Sequence, residues 1–214
     1  MSRKFVVGCV VCFGALCANL ARAELTTYTF QGELWFVSPS FSGVLSVGDP
    51  ITGSFSFDSA TPDSVADPAN GLYRPSVSVS MSNPLAFSFT SPASTSSISV
   101  ANGSTDLFAV ALGPLGAGPV VGGLRLSGWE LAVLDTAGAM LNSDSANGPL
   151  MFSFADYASL EVFFAGGNFI STLTSFQLAS PVPEPESYAM LLAGLGVLGF
   201  IVRRRKQNTR PGNR

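Results

Sequence analysis

The chain reads as an all-β protein: an antiparallel β-sandwich or jelly-roll-like single domain, flanked by an N-terminal signal peptide and one short C-terminal transmembrane helix. Three observations predict this. Between residues 24 and 180 apolar side chains alternate with serine, threonine and other polar residues, the period of a half-buried strand. Clusters of Gly, Pro, Asn and Asp cut that pattern into about ten short runs, and no long helical period survives between them. The two uncharged, unbroken apolar stretches lie at the chain ends.

At the N-terminus, Arg3 and Lys4 form a basic n-region, residues 5–18 an apolar core, and Ala21-Arg22-Ala23 a small-residue cleavage site. That is a secretory signal peptide over 1–23, removed by signal peptidase. Val6-Val7-Gly8-Cys9 matches a lipoprotein box by letter, but only Phe5 precedes it as an apolar residue, so lipidation is discounted. The exported domain then spans 24–180.

Its strands follow in order. Tyr28, Phe30, Leu34 and Phe36 mark the first, then Ile51, Phe55 and Phe57 with Gly53 in the same register. Val77, Val79 and Met81 alternate with Ser76, Ser78, Ser80 and Ser82. Next come Leu85-Phe87-Phe89, Ile98 with Val100, and Phe108-Val110-Leu112. Leu131 with Val133, Leu150-Phe152-Phe154, Leu160-Val162-Phe164 and the run 170–178 complete the set. Turn signals separate them at Gly48-Asp49-Pro50, Asp67-Pro68-Ala69-Asn70-Gly71, Asn83-Pro84, Asn102-Gly103, Asn147-Gly148-Pro149 and Gly166-Gly167-Asn168. The stretch 113–123 (GPLGAGPVVGG) reads as a long loop.

Composition narrows the function. The three cysteines lie in the signal peptide and histidine is absent, which removes disulfides, thiolate metal sites and histidine-based triads from the exported part. Between Glu24 and Ser180 twelve acidic residues face only Arg74 and Arg125, a net charge of −10. Such a domain repels nucleic acid and anionic lipid. No nucleic-acid partner and no cofactor are expected.

Three features of the domain are candidate sites. Asp58, Asp63 and Asp67, with Asn70, offer oxygen ligands for calcium, though their spacing fits no calcium loop and Asp and Asn also simply make turns. Glu33, Glu130 and Glu161 lie in strands and offer a carboxylate pair for a glycoside hydrolase or lyase, against the simpler reading that they are solvent-facing strand residues. Serine and threonine faces (Ser76-Ser78-Ser80-Ser82, residues 94–99, and Ser171, Thr172, Thr174, Ser175), with Trp35 and Trp129, suit an ice- or glycan-binding adhesin; an exported, low-charge sheet wears the same residues on its wet side, and tryptophan is more often core. No catalytic residue and no metal is assigned, and the domain is expected to be no enzyme.

The C-terminus is more specific. Val182-Pro183-Glu184-Pro185-Glu186-Ser187 precedes an uncharged run over 188–202, which stops at Arg203-Arg204-Arg205-Lys206. Pro183 and Pro185 hold the chain extended, and Ser187 is a helix N-cap. The 15-residue helix reaches about 22 Å, short of a hydrocarbon core of about 30 Å, so its ends must reach the interfaces. The basic cluster stops transfer and stays cytoplasmic. Residues 207–214 are a polar tail expected to be disordered.

These residues closely resemble the PEP-CTERM sorting signal of Gram-negative bacteria, over 181–206. The same segment is also labelled an ice-binding protein C-terminal domain. The resemblance implies that an inner-membrane exosortase cuts at or near Pro183-Glu184-Pro185. It further implies transient membrane anchoring, a final place at the cell surface or outside it, and a host that makes exopolysaccharide or biofilm matrix. The segment from Val47 to Asp58 resembles one common in β-rich ectodomains with that signal. The functional expectation is an exosortase-sorted structural or binding module of the cell surface or extracellular matrix, with exopolysaccharide as partner.

Overall fold

A computed structural model describes residues 25–116, 118–146, 153 and 155–179. The expected signal peptide with Ala21 and Ala23, the Leu150-Phe152-Phe154 run, the transmembrane helix, and the tail lie outside the described residues.

The described chain is all-β. Its strands are β1 (Leu25–Val37), β2 (Pro50–Asp58), β3 (Asn70–Tyr73), β4 (Val77–Asn83), β5 (Phe87–Ser91), β6 (Ser96–Ala101), β7 (Asp106–Leu112), β8 (Val120–Val121), β9 (Leu124–Asp135), β10 (Tyr157–Phe164) and β11 (Gly167–Leu178), with one 3-10 turn at Pro39–Phe41. All pairings are antiparallel, in the order β3-β6-β7-β9-β10-β11-β1-β2-β4-β5, with β8 added to β9. The antiparallel all-β expectation therefore holds. The two facing walls come from one continuous, curled sheet, with no break in the hydrogen-bonded ladder.

Two facts require the curl. The Tyr28 ring on β1 lies 5.4 Å from the Phe108 ring on β7, four strands away in the sheet order. Consecutive strands also join opposite ends of that order: three residues connect β3 to β4, and four connect β5 to β6. A three-residue link spans at most about 14 Å, so the end strands lie near one another. Ser96 on β6 donates its hydroxyl to the Pro75 carbonyl within the first link.

The concave face is packed with aromatic rings. Phe55 stacks with Tyr28, Phe57 and Phe176 and meets Trp129 edge-on at 5.8 Å, while Phe30 lies 6.0 Å from Trp129. These are the inward positions of the period-two pattern. Gly53 belongs among them because the Phe30 ring, its cross-strand partner, covers its α-carbon.

Two turn assignments need correction. The turn at Asp67-Gly71 runs on into β3, since Asn70 through Tyr73 pair with β6. The 113–123 stretch is no open loop. Val120 and Val121 pair with Arg125 and Leu124 around a Gly122-Gly123 turn, and the Leu115 N–H bonds the Ser127 carbonyl at 2.9 Å. Glycine-rich composition hid a hairpin only two residues long on its first arm.

Candidate functional site

The acidic loop after β2 is built from aspartate-capped turns. Asp58 accepts the Ala60 N–H at 2.8 Å, and Asp67 accepts Ala69 N–H at 3.0 Å and the Asn70 amide at 2.7 Å. One oxygen of Asp63 takes both Leu72 N–H at 2.8 Å and Val65 N–H at 2.9 Å, tying the loop to β3. These donors hold the Asp63 carboxyl below the ordinary aspartate value, the Leu72 bond foremost, and the Ala69 bond does most for Asp67. Among the described residues no three acidic side chains gather as a metal-ligand group.

Glu130 and Glu161 are directly opposite each other across β9 and β10. Sequence alone cannot bring them together, because register depends on the length and path of the chain between. They lie on the convex side: their neighbours Trp129, Leu131, Leu160 and Val162 fill the interior. Asn168 donates its amide to Glu161. Glu33 lies on β1 opposite Thr172 of β11 and is exposed.

The two tryptophans part company. Trp129 is 1% exposed at the centre of the core, and its indole N–H has no hydrogen-bond partner among the described residues. It is no surface platform. Trp35 is 52% exposed at a β-bulge, where the register between β1 and β11 shifts between Leu34 and Phe36. Plain alternation puts Trp35 outward on the same side as Glu33, and the extra residue at the bulge turns Phe36 outward as well, opposite Ile170 and 38% exposed.

The hydroxyl-bearing residues assemble into rows that no single strand reveals. Across the convex face, Gln177, Thr29, Ser54, Ser80 and Ser88 are successive cross-strand partners on β11, β1, β2, β4 and β5. A parallel row holds Thr27, Ser56, Ser78 and Thr90, and a third holds Ser175, Gln31 and Thr52. Hydroxyls on neighbouring strands link: those of Ser78 and Thr90 lie 2.9 Å apart, and those of Thr52 and Ser82 2.8 Å apart. Of the other expected hydroxyl positions, Ser171 and Ser96 face inward and are buried, while Thr172 and Thr174 are exposed. The face bends at bulges, including one between Thr52 and Gly53.

One pair was not anticipated. Asp106 and Asp135 are buried cross-strand partners on β7 and β9. Asp106 accepts the N–H groups of Gly103 and Leu141, and Asp135 those of Ala137 and Ala139, so the pair anchors the loops at that end. Their sequence signal is two acidic residues at inward parity, Asp106 at the start of one apolar alternation and Asp135 at the end of another.

Pro183, Glu184, Pro185, Arg203, Arg204, Arg205 and Lys206 lie outside the described residues. The chain reaches them from β11, whose last residues run beside the start of β1: the Ala179 N–H bonds the Thr27 carbonyl at 2.7 Å. No curated protein and no solved structure matches the chain. Residues 181–206 match the family model of the PEP-CTERM protein-sorting motif. The chain thus carries, two residues beyond the end of its described β-domain, a PEP-CTERM sorting motif that supports an exported protein sorted by an exosortase.

Proposed function

We propose that this protein is a non-catalytic display module, delivered to the surface or extracellular matrix of a Gram-negative bacterium and held there among exopolysaccharide. The observation that carries the reading is the sorting motif at 181–206, directly after β11. In this scheme signal peptidase cuts after Ala23, and the 188–202 helix pauses in the inner membrane with Arg203, Arg204, Arg205 and Lys206 on the cytoplasmic side. The exosortase then acts at Pro183-Glu184-Pro185, and the curled β-domain over 24–180 is the exported cargo. The remaining tail, 207–214, leaves with the removed segment.

A carboxylate enzyme has one observation in its favour, the facing Glu130 and Glu161. It is not adopted because the concave side, where a cleft would enclose a sugar ring, is occupied by the aromatic core.

The test is Pro183→Ala combined with Pro185→Ala. Alanine favours helix over proline by about 3 kcal/mol per interior position, so the extended stretch before the helix winds up. Export should continue, and a full-length, membrane-held form should accumulate on an immunoblot. A tag fits the Gly122-Gly123 turn, where added atoms meet nothing within 4 Å. Equal short product in wild type and variant would sink the sorting reading.

A further inference from the structure

We propose that the convex hydroxyl face, with Trp35 at its edge, is a docking surface for a neutral polysaccharide laid across the strands. The inference rests on the display reading above and adds the partner and the residues that meet it.

Charge distribution is the first argument. The exported domain carries a net charge of −10, yet the three rows described above hold only Ser, Thr and Gln over five strands. Asp58 bounds the field where β2 ends beside Leu25, and Glu33 bounds it toward Trp35. With strands about 4.8 Å apart the field is about 19 Å wide, large enough for several sugar units. A dense grid of hydroxyls and amides without charge matches a polymer of hydroxyls without charge. It offers nothing to a polyuronate, which the acidic surroundings repel.

The second argument is the placement of the aromatic group. Thr27, Thr29, Gln31, Glu33 and Trp35 lie along one side of β1, so Trp35 continues the polar field. It is half exposed on that side, and the bulge that follows turns Phe36 outward beside it, 6.1 Å away ring to ring. An aromatic face beside hydrogen-bonding groups suits a sugar ring, which has an apolar face and polar rim.

Chain geometry is the third. The chain leaves the domain beside Thr27, and Trp35 is eight residues along β1, about 27 Å from that point. A domain tethered through its C-terminus therefore holds Trp35 at the end away from the tether point. A lipid surface at the tether does not account for an exposed Trp there, whereas a matrix polymer does.

The experiment uses the processed protein purified from its host, run in native gels containing hydroxyethyl cellulose, dextran or galactomannan, with alginate as the acidic comparison. At least one neutral polymer should retard the wild type and alginate should not. Trp35→Ala should weaken retardation at least tenfold, and Thr29→Glu, which puts charge into the field, several-fold. Both sites are exposed, and unchanged emission from buried Trp129 will show that each variant is folded. Failure of all three neutral polymers to retard the wild type would overturn the proposal, as would retardation by alginate alone or binding untouched by both substitutions. If processing at Pro183-Glu184-Pro185 is normal in those same cells, the display reading survives such a failure; if processing is absent too, both fall.

Discussion

Replacing Gly53 with alanine should destabilise the domain, against the usual direction of such a change. Glycine to alanine at an unstrained position commonly stabilises by about 0.4–1 kcal/mol, because the unfolded chain loses freedom. Here an added β-carbon would lie 2.6 Å from Phe30 Cζ, 2.7 Å from the Ser80 carbonyl oxygen and 2.9 Å from Met81 Sδ. Carbon atoms in contact prefer about 3.5–4.0 Å. Met81 is flexible, but the Ser80 oxygen is backbone in β4, and Phe30 is held between Gly53 and Trp129. Overpacking of this kind costs about 1–3 kcal/mol. For a domain of this size each kcal/mol moves Tm by roughly 2–4 °C, so the variant should melt about 2–12 °C lower. Thermal unfolding followed by circular dichroism will measure it, with Gly103→Ala as the control, since nothing lies within 4 Å of its added carbon. A Gly53→Ala protein melting at or above wild type would refute the claim that the Phe30 ring takes the place of a side chain at this position.

Two further outcomes concern pH. Burial pushes the Tyr28 phenol up to about 12 from 10.0, and its hydroxyl donates to the Ala146 carbonyl at 3.1 Å. The folded state thus favours the neutral phenol: its contribution is full below pH 10 and is lost as pH rises toward 12, on the order of 3 kcal/mol. Tyr28→Phe should flatten the alkaline decline in denaturant midpoint, and an unchanged decline would exclude Tyr28 as its source. The Asp63 carboxyl lies below its ordinary value of 3.8, so what it contributes is present above that pH and is lost as acid protonates it. Protection of the Val65 and Leu72 amides against hydrogen exchange, relative to the intrinsic rate at the same pH, should fall at low pH, and at neutral pH in Asp63→Ala; undiminished protection in the variant would show that the loop holds without it.

The all-β class, most strands and the inward set were legible in the sequence because each depends on local alternation. Residues two apart share a face wherever the strand goes, so Tyr28, Phe30, Phe55 and Phe57 declare themselves as core without reference to any partner. The sorting motif was legible for a related reason: it is read as one continuous segment, and its prolines, apolar run and basic cluster need no fold to be recognised. Tertiary structure alone decided what the strands bring together. It closed one sheet on itself, set Glu130 opposite Glu161, buried Asp106 beside Asp135, and aligned serines from β2, β4 and β5 with Thr29 and Gln177. It also turned Phe36 outward at a bulge, where alternation alone would have buried it beside Leu34, while pairing with Leu112 and Val162 sets Trp129 at the centre of the core. Period-two patterning records which side of its own strand a residue takes; register and closure are set by contacts between segments distant in sequence, and those leave no local trace.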